Sequence, residues 1–140
     1  MPFGNTEPFG KSVKSFNKST SAQIALGKIC IRDATLTPDG YKTADASGAD
    51  GPFTCAVDVL AATTDLLFSG SLPGTEVIVR AGGTIEPGTL VKTDASGDAI
   101  AHVTGTDAEI KAFGRYLGKE NTLTPSAAGV GDAIRVKQLN

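Results

Sequence analysis

The side chains that could act as nucleophiles or metal ligands are few, and their spacing matches no common catalytic arrangement. His102 is the one histidine, so a hydrolase triad would have to use it, yet no Gly-x-Ser-x-Gly elbow is present. A zinc site from Cys30, Cys55 and His102 would need a fourth ligand, and no Cys-x-x-Cys spacing occurs. We therefore expect a surface or partly buried His102, and a protein that is not an enzyme and uses no metal or cofactor.

The two cysteines and the carboxylates are better explained as structural residues. Cys30 and Cys55 each lie in a run typical of a β-strand, which predicts two small buried thiols. A disulfide between them requires that the two strands be neighbours. The carboxylates are scattered singly, mostly in predicted turns, as at Asp39, Asp45, Asp94 and Asp132.

Composition limits the class of protein. A chain of 140 residues fits one domain that buries about 70% of its unfolded surface. Its 17 glycines and 7 prolines favour many short strands over long helices. The net charge of −2 disfavours nucleic acid as a partner. Because there is no apolar run near ~20 residues and no signal-peptide pattern, we expect no membrane association and a protein that is made and used, or assembled, in a cytoplasm.

The clearest β pattern runs from residue 74 to residue 101. Two β-branched runs, 76–80 and 89–93, are separated by the turn 86–88 and followed by the turn 94–97, where Pro, Gly and Asp occupy favoured positions. The run 53–59 alternates in the same way. We predict an all-β fold of eight to ten strands, with at most one short helix over 61–67.

Short segments of this β pattern occur twice. Asp-Ala-Ser-Gly occupies 45–48 and again 94–97, with Lys-Thr at 42–43 and directly before the second copy at 92–93, and residues 74–80 match 131–137. Repeated supersecondary units produce such recurrences. The sequence therefore predicts a single β domain, 24–140, of two related halves (about 24–80 and 81–140) with the two tetrapeptides at equivalent turns.

Residues 1–23 differ from the rest of the chain. They carry three lysines against one glutamate, and three of the six phenylalanines. A solvated tail should be poor in aromatics, so we predict an extended N-terminal arm whose rings and lysines dock on a partner. The alternative is an arm that folds back onto its own body. The predicted contact residues are Phe3, Phe9, Lys11, Lys14, Phe16 and Lys18.

Two resemblances bear on function. The hairpin over 83–94 resembles that of lipoyl and biotinyl domains, which place the modified lysine at the tip of a turn. In this chain the tip is 94–97 and Lys92 precedes it. That departure disfavours a swinging-arm carrier.

The second resemblance rests on four segments: Gly-Thr-Ile-Glu-Pro-Gly-Thr-Leu-Val at 83–91, the tetrapeptide at 94–97, Phe-Gly-Arg at 113–115 and Gly-Asp-x-Ile-x-Val at 131–136. Together they are similar to small capsid decoration (cement) proteins of tailed bacteriophages, over about 74–139 and more loosely 24–80. The resemblance implies a small β-barrel or β-tulip body with an N-terminal arm and no catalysis. It also implies a virion protein that binds the outer capsid surface, bridges subunits of the major capsid protein and self-associates, as a homotrimer or a dimer.

The competing class is a small-ligand or carbohydrate-binding β domain. Sugar pockets usually need exposed aromatic rings. The predicted body has no tryptophan, and its aromatic residues are Phe53, Phe68, Phe113, Tyr41 and Tyr116.

Overall fold

The computed structural model describes residues 13–18, 24–33, 40–59, 65–69, 74–120 and 122–139. Its ten strands are β1 (Val13–Lys18), β2 (Ile29–Arg32), β3 (Gly40–Thr43), β4 (Phe53–Val59), β5 (Asp65–Ser69), β6 (Glu76–Arg80), β7 (Leu90–Thr93), β8 (Ala99–Ala101), β9 (Gly114–Lys119) and β10 (Ala133–Gln138). One 3₁₀ helix, Glu109–Lys111, accompanies them in the described part. The all-β prediction is confirmed, and the small β-barrel or β-tulip form of the body stays a prediction.

Each half of the chain forms its own sheet. In the first sheet the order is β1-β3-β2-β4-β5, and because β1 also pairs with β5 the strand pairing returns to its start. The second sheet has the order β6-β10-β9-β7-β8. A single parallel bridge, Ala81 to Ala99, connects the end of β6 to β8.

The two sheets repeat one topology. In the first unit (β1–β5) and in the second unit (β6–β10), the first strand runs parallel to the third, and the remaining neighbours are antiparallel. The ladders join the third strand to the second, the second to the fourth, the fourth to the fifth and the fifth to the first. The chain is therefore built of two five-stranded units with the same connectivity.

The repeat holds at the level of single residues. The fourth strand of each unit has a β-bulge against the fifth, with Val57 skipped in β4 and Leu117 skipped in β9. Aligning the two bulges makes the pair Cys55–Ser69 equivalent to Arg115–Lys137. The same register carries the parallel pair Lys18–Tyr41 onto Ala81–Ala99. Because a β-bulge bends its strand and interrupts the ladder, its occurrence at matching places in both units supports the residue-level equivalence.

A tight turn before the second strand of each unit repeats as well. Gly27 and Gly88 both have φ of 85°, the left-handed region that favours glycine. Three residues earlier, Ile24 and Ile85 are both buried. The turns are closed by equivalent hydrogen bonds, from Lys28 N to Ala25 O (3.3 Å) and from Thr89 N to Glu86 O (3.1 Å).

The predicted equivalence of the two Asp-Ala-Ser-Gly turns is wrong. Residues 94–97 connect the second and third strands of their unit, whereas residues 45–48 follow the third strand. Likewise, segments 74–80 and 131–137 contain the first and fifth strands of one unit, which pair with each other. Their similarity reflects shared turn chemistry and strand alternation, because both patterns recur wherever such turns and half-buried strands form.

Two further sequence predictions, the helical turn and the N-terminal arm, concern residues of the first sheet. The helical turn expected over 61–67 is wrong in its second part, because residues 65–69 form β5, paired with β1 and β4. Within the predicted arm, residues 13–18 form β1, the arrangement expected of the fold-back alternative. Residues 1–12 and 19–23 lie outside the described residues, so the arm as a whole stays a prediction.

One hydrophobic core joins both units. Ile29, Phe53 and Cys55 of the first unit belong to the same buried cluster as the inward residues of β6, β7, β9 and β10. The amide of Gln138, also buried, donates to Phe53 O at 3.3 Å. The two sheets are thus packed as a single body.

Candidate functional site

His102 is buried and holds a loop rather than a substrate. Its Nε2 lies 3.0 Å from Ala108 O, and since a carbonyl only accepts, Nε2 carries the proton. Its backbone N–H donates to Leu90 O at 2.8 Å. The side chain is 6% exposed, more buried than the sequence suggested.

The loop that follows His102 is closed by Asp107. Its Oδ2 accepts from Val103 N at 2.8 Å and forms an ion pair with Lys92 Nζ at 2.9 Å. The backbone hydrogen bond from Val103, followed by the Lys92 contact, holds the pKa of Asp107 below its ordinary value. Asp107 therefore acts as a structural clamp.

The two cysteines are buried on opposite faces of neighbouring strands. Cys55 is the register partner of Ile29 and Cys30 that of Thr54, so the sulfurs point to different sides of the sheet and form no disulfide. Burial, with a smaller contribution from Cys55, raises the pKa of the Cys30 thiol far above its ordinary value. Cys30 is therefore a poor nucleophile. No cluster of three metal-ligating residues occurs in the described part.

The residues predicted to bind a partner are only partly within the described ranges. Phe3, Phe9 and Lys11 lie outside them. Lys14, Phe16 and Lys18 occupy alternate positions of β1, where Lys14 and Phe16 pair with β5 and Lys18 pairs with Tyr41 of β3. Their partner-binding role stays a prediction.

The contact between the two units uses one particular face of the first unit. Cys55 Sγ donates to Ile78 O of β6 at 3.5 Å. A Cβ added at Gly27 would lie 3.7 Å from the same carbonyl, so that turn also lies against β6. Ile29, the register partner of Cys55, is fully buried. This face of β2 and β4 is therefore covered by the second unit.

The equivalent face of the second unit is uncovered within the described residues. There Leu90 and Arg115 take the places of Ile29 and Cys55, and Arg115 is exposed. The face continues across the sheet along the outward positions of β10 and β6. We call it the basic face and define it by five side chains: Arg80, Lys92, Arg115, Arg135 and Lys137.

Positive charges are crowded on the basic face. Lys137 and Arg115 are direct register partners, and Arg135 projects from the same side of β10 two positions away. The one acidic residue on the four strands that carry the face is Glu76, whose Oε1 lies 3.7 Å from Arg135 Nη1. Arg80 and Lys137 are exposed and form no ion pair with any described residue.

Sequence reasoning missed the basic face because its members are far apart in the chain. Only Arg135 and Lys137, at alternate positions of one strand, carry a local signal of a shared side. The others join them across ladders that strand pairing alone defines.

No helix of the described residues has the length and apolar character needed to cross a bilayer.

Comparisons with known proteins find a likeness of fold. No protein-family model and no curated protein sequence matches the chain. Among solved structures, the fold is similar to the head fiber gp8.5 N base of bacteriophage phi29, with a TM-score of 0.63 and 15% sequence identity. The likeness covers 93% of this chain and 98% of that one. At 15% sequence identity, this similarity shows a shared fold and nothing beyond it.

Proposed function

We propose that this chain is a structural protein of a bacteriophage virion that binds the outer surface of the capsid. The observation that carries the proposal is the likeness, over nearly the full length of both chains, to the base of a phage head fiber. The motifs shared with capsid decoration proteins point to the same kind of particle. In this proposal the protein bridges neighbouring subunits of the major capsid protein and so stabilises the shell.

The reactive side chains support a structural role because each is engaged in holding the fold. His102 binds the carbonyl of Ala108, and Asp107 closes the same loop. Cys30 is buried beneath its sheet, with its thiol directed at Lys28 O, 3.7 Å away. The imidazole, the carboxylate and the thiol are thus engaged within the protein, whereas a hydrolase or transferase needs such groups exposed to its substrate.

Two finer features belong to the proposal. The arm residues Phe3, Phe9, Lys11, Lys14, Phe16 and Lys18 are taken as contacts to the major capsid protein, and the protein acts as a homotrimer on the shell. Attachment of several linked copies would raise avidity without any new contact.

Binding to shells tests the proposal. Empty shells are assembled from the major capsid protein of the same genome, mixed with the purified chain, and sedimented. We expect saturable binding at a fixed number of copies per shell, and cryo-electron microscopy of the decorated shell should locate density at one class of lattice position. Failure to sediment with shells, together with retention on a glycan array, would support the carbohydrate-binding alternative.

A further inference from the structure

We propose that the basic face of the second unit is a docking surface for an acidic face of a partner protein, separate from the N-terminal arm. The inference rests on the proposed function in one respect: the shell is where the acidic partner is expected. The basic face itself is argued from the residues of this chain.

Cations outnumber carboxylates on the basic face, where Glu76 and Asp107 are the acidic neighbours of five basic side chains. Lys137 is directly opposite Arg115 on β9, where like charges destabilise a sheet, and directly opposite Glu76 on β6, where opposite charges stabilise it. Arg135 adds a third cation on the same side of β10, against the single carboxylate of Glu76. A bound acidic surface would relieve this repulsion.

The fold does not require these charges, because the first unit has the same topology without them. The bulge-aligned register makes Asn17 equivalent to Arg80, Cys55 to Arg115 and Ser69 to Lys137. In the same register, Leu67 is equivalent to Arg135 and Ile31 to Lys92. All five equivalents are uncharged, so this topology forms without the cations. Within the second unit, Lys92 also pairs with Asp107, and Arg115 Nη1 donates to Gly88 O at 2.6 Å, whereas Arg80 and Lys137 form no ion pair with any described residue.

The region of the first unit that corresponds to the basic face is used for a contact between the two units. The equivalent region around Ile29 and Cys55 is buried against β6 of the second unit. The second unit leaves its own copy of this region exposed at Arg115. One unit packs through this face with apolar residues, and the other presents it to solvent with basic ones.

The partner that fits is a carboxylate-rich protein surface rather than nucleic acid. The chain as a whole has a net charge of −2, and the basic face has acidic neighbours, Asp107 beside Lys92 and Glu76 beside Arg135. A continuous phosphate backbone would meet these carboxylates, whereas a patterned protein face can avoid them. Arginine, which contributes three of the five cations, suits carboxylates through paired hydrogen bonds.

The first experiment uses poly-L-glutamate as the probe and the full chain as the receptor. Binding is measured by fluorescence anisotropy of the labelled probe at low and physiological salt. We expect salt-sensitive binding that weakens about tenfold in the double variant Arg80→Asn/Lys137→Ser and further in Arg80→Glu/Lys137→Glu. The first double variant uses the residues of the first unit, which that topology already accommodates.

A matched control separates the face from net charge. Lys137→Glu and Lys42→Glu change the charge equally, but Lys42 lies on the first unit, paired with Asp45 at 2.9 Å. The inference requires that Lys137→Glu weaken the binding of poly-L-glutamate and that Lys42→Glu leave it within about twofold. Equal loss in both, or tighter binding of a DNA duplex than of poly-L-glutamate, overturns it.

Shell binding then separates this inference from the proposed function. If the wild-type chain decorates shells and Arg80→Glu/Lys137→Glu decorates them with the same occupancy, the basic face is not the docking surface, while the proposed function stands. If the wild-type chain does not bind shells, the proposed function fails, and the poly-L-glutamate comparison alone decides the inference. Unchanged thermal unfolding of each variant confirms that it is folded.

Discussion

Phe53 and Phe113 meet edge to face at the junction of the two units, with ring centroids 5.6 Å apart and ring planes at 85°. Both are fully buried. In the bulge-aligned register, Phe53 and Phe113 occupy equivalent positions of the two units. Phe53 directly precedes Thr54 and Phe113 directly precedes Gly114, and Thr54 and Gly114 each pair with the second strand of their unit. The contact therefore joins equivalent positions of a duplicated fold.

Removing either ring should destabilise the whole body. We expect Phe53→Ala or Phe113→Ala to lower the free energy of unfolding by about 3–5 kcal/mol, because each leaves a cavity in the shared core. The double variant should lose less than the sum, since the pair contributes about 0.5–1.5 kcal/mol once. Urea unfolding measures all three, and the fully exposed Leu123→Ala is the control. Separate unfolding transitions for the two units would contradict a shared core.

Gly97 should tolerate no side chain. Its φ is 81°, and an added Cβ would lie 2.5 Å from Thr43 Cγ2 and 3.0 Å from Ile29 O. Gly105 has a similar φ of 89° but nothing within 4 Å. Both alanine variants share a backbone cost of about 1–2 kcal/mol for a side chain in the left-handed region, and Gly97→Ala adds about 1–3 kcal/mol of overpacking between the units. Equal melting temperatures for the two variants would show that the junction is looser than described.

The strands were largely predictable, since local alternation decides them. The predicted run 76–80 is β6 and the predicted run 53–59 is β4. The pairing of β1 was not predictable, because its partners β3 and β5 lie far along the chain and residues 13–18 have no unusual β pattern. The true register of the repeat was hidden for a related reason: the hairpin between the second and third strands is longer in the first unit, and a bulge interrupts each fourth strand.

The Asp107 clamp should make stability depend on acid pH. Because the pKa of Asp107 in the folded protein lies below its ordinary 3.8, its contribution to stability is complete above that value and is lost as the pH falls through the lower folded pKa. Asp107→Asn should therefore lower the melting temperature at pH 7, and the difference from wild type should shrink as the pH falls below 3.8. A difference that stays constant with pH would assign the loss to packing instead.

Both thiols should be protected in the folded protein. Cys30 and Cys55 are at most 1% exposed, and the raised pKa of Cys30 removes its thiolate. We expect Ellman's reagent to label neither cysteine in native buffer and both in 6 M guanidinium. A denatured chain that shows no thiol until it is reduced would establish a disulfide and contradict the opposite-face placement.

Truncation from the N-terminus should separate the arm from the body at residue 12. Deleting residues 2–12 removes Phe3, Phe9 and Lys11 and leaves β1 in place, so we expect nearly unchanged melting and a large loss of shell binding. Burying one phenylalanine contributes about 1.5–3 kcal/mol, and much of it is offset by ordering the backbone at about 1–2 kcal/mol per residue. The arm alone is therefore a weak anchor, and wild-type shell occupancy without residues 2–12 would assign attachment to the body.

Deleting residues 2–20 should instead lower the melting temperature, because β1 pairs with both β3 and β5 and its loss opens the first sheet. A body that melts normally without β1 would show that this strand is an attached arm, as the sequence alone suggested.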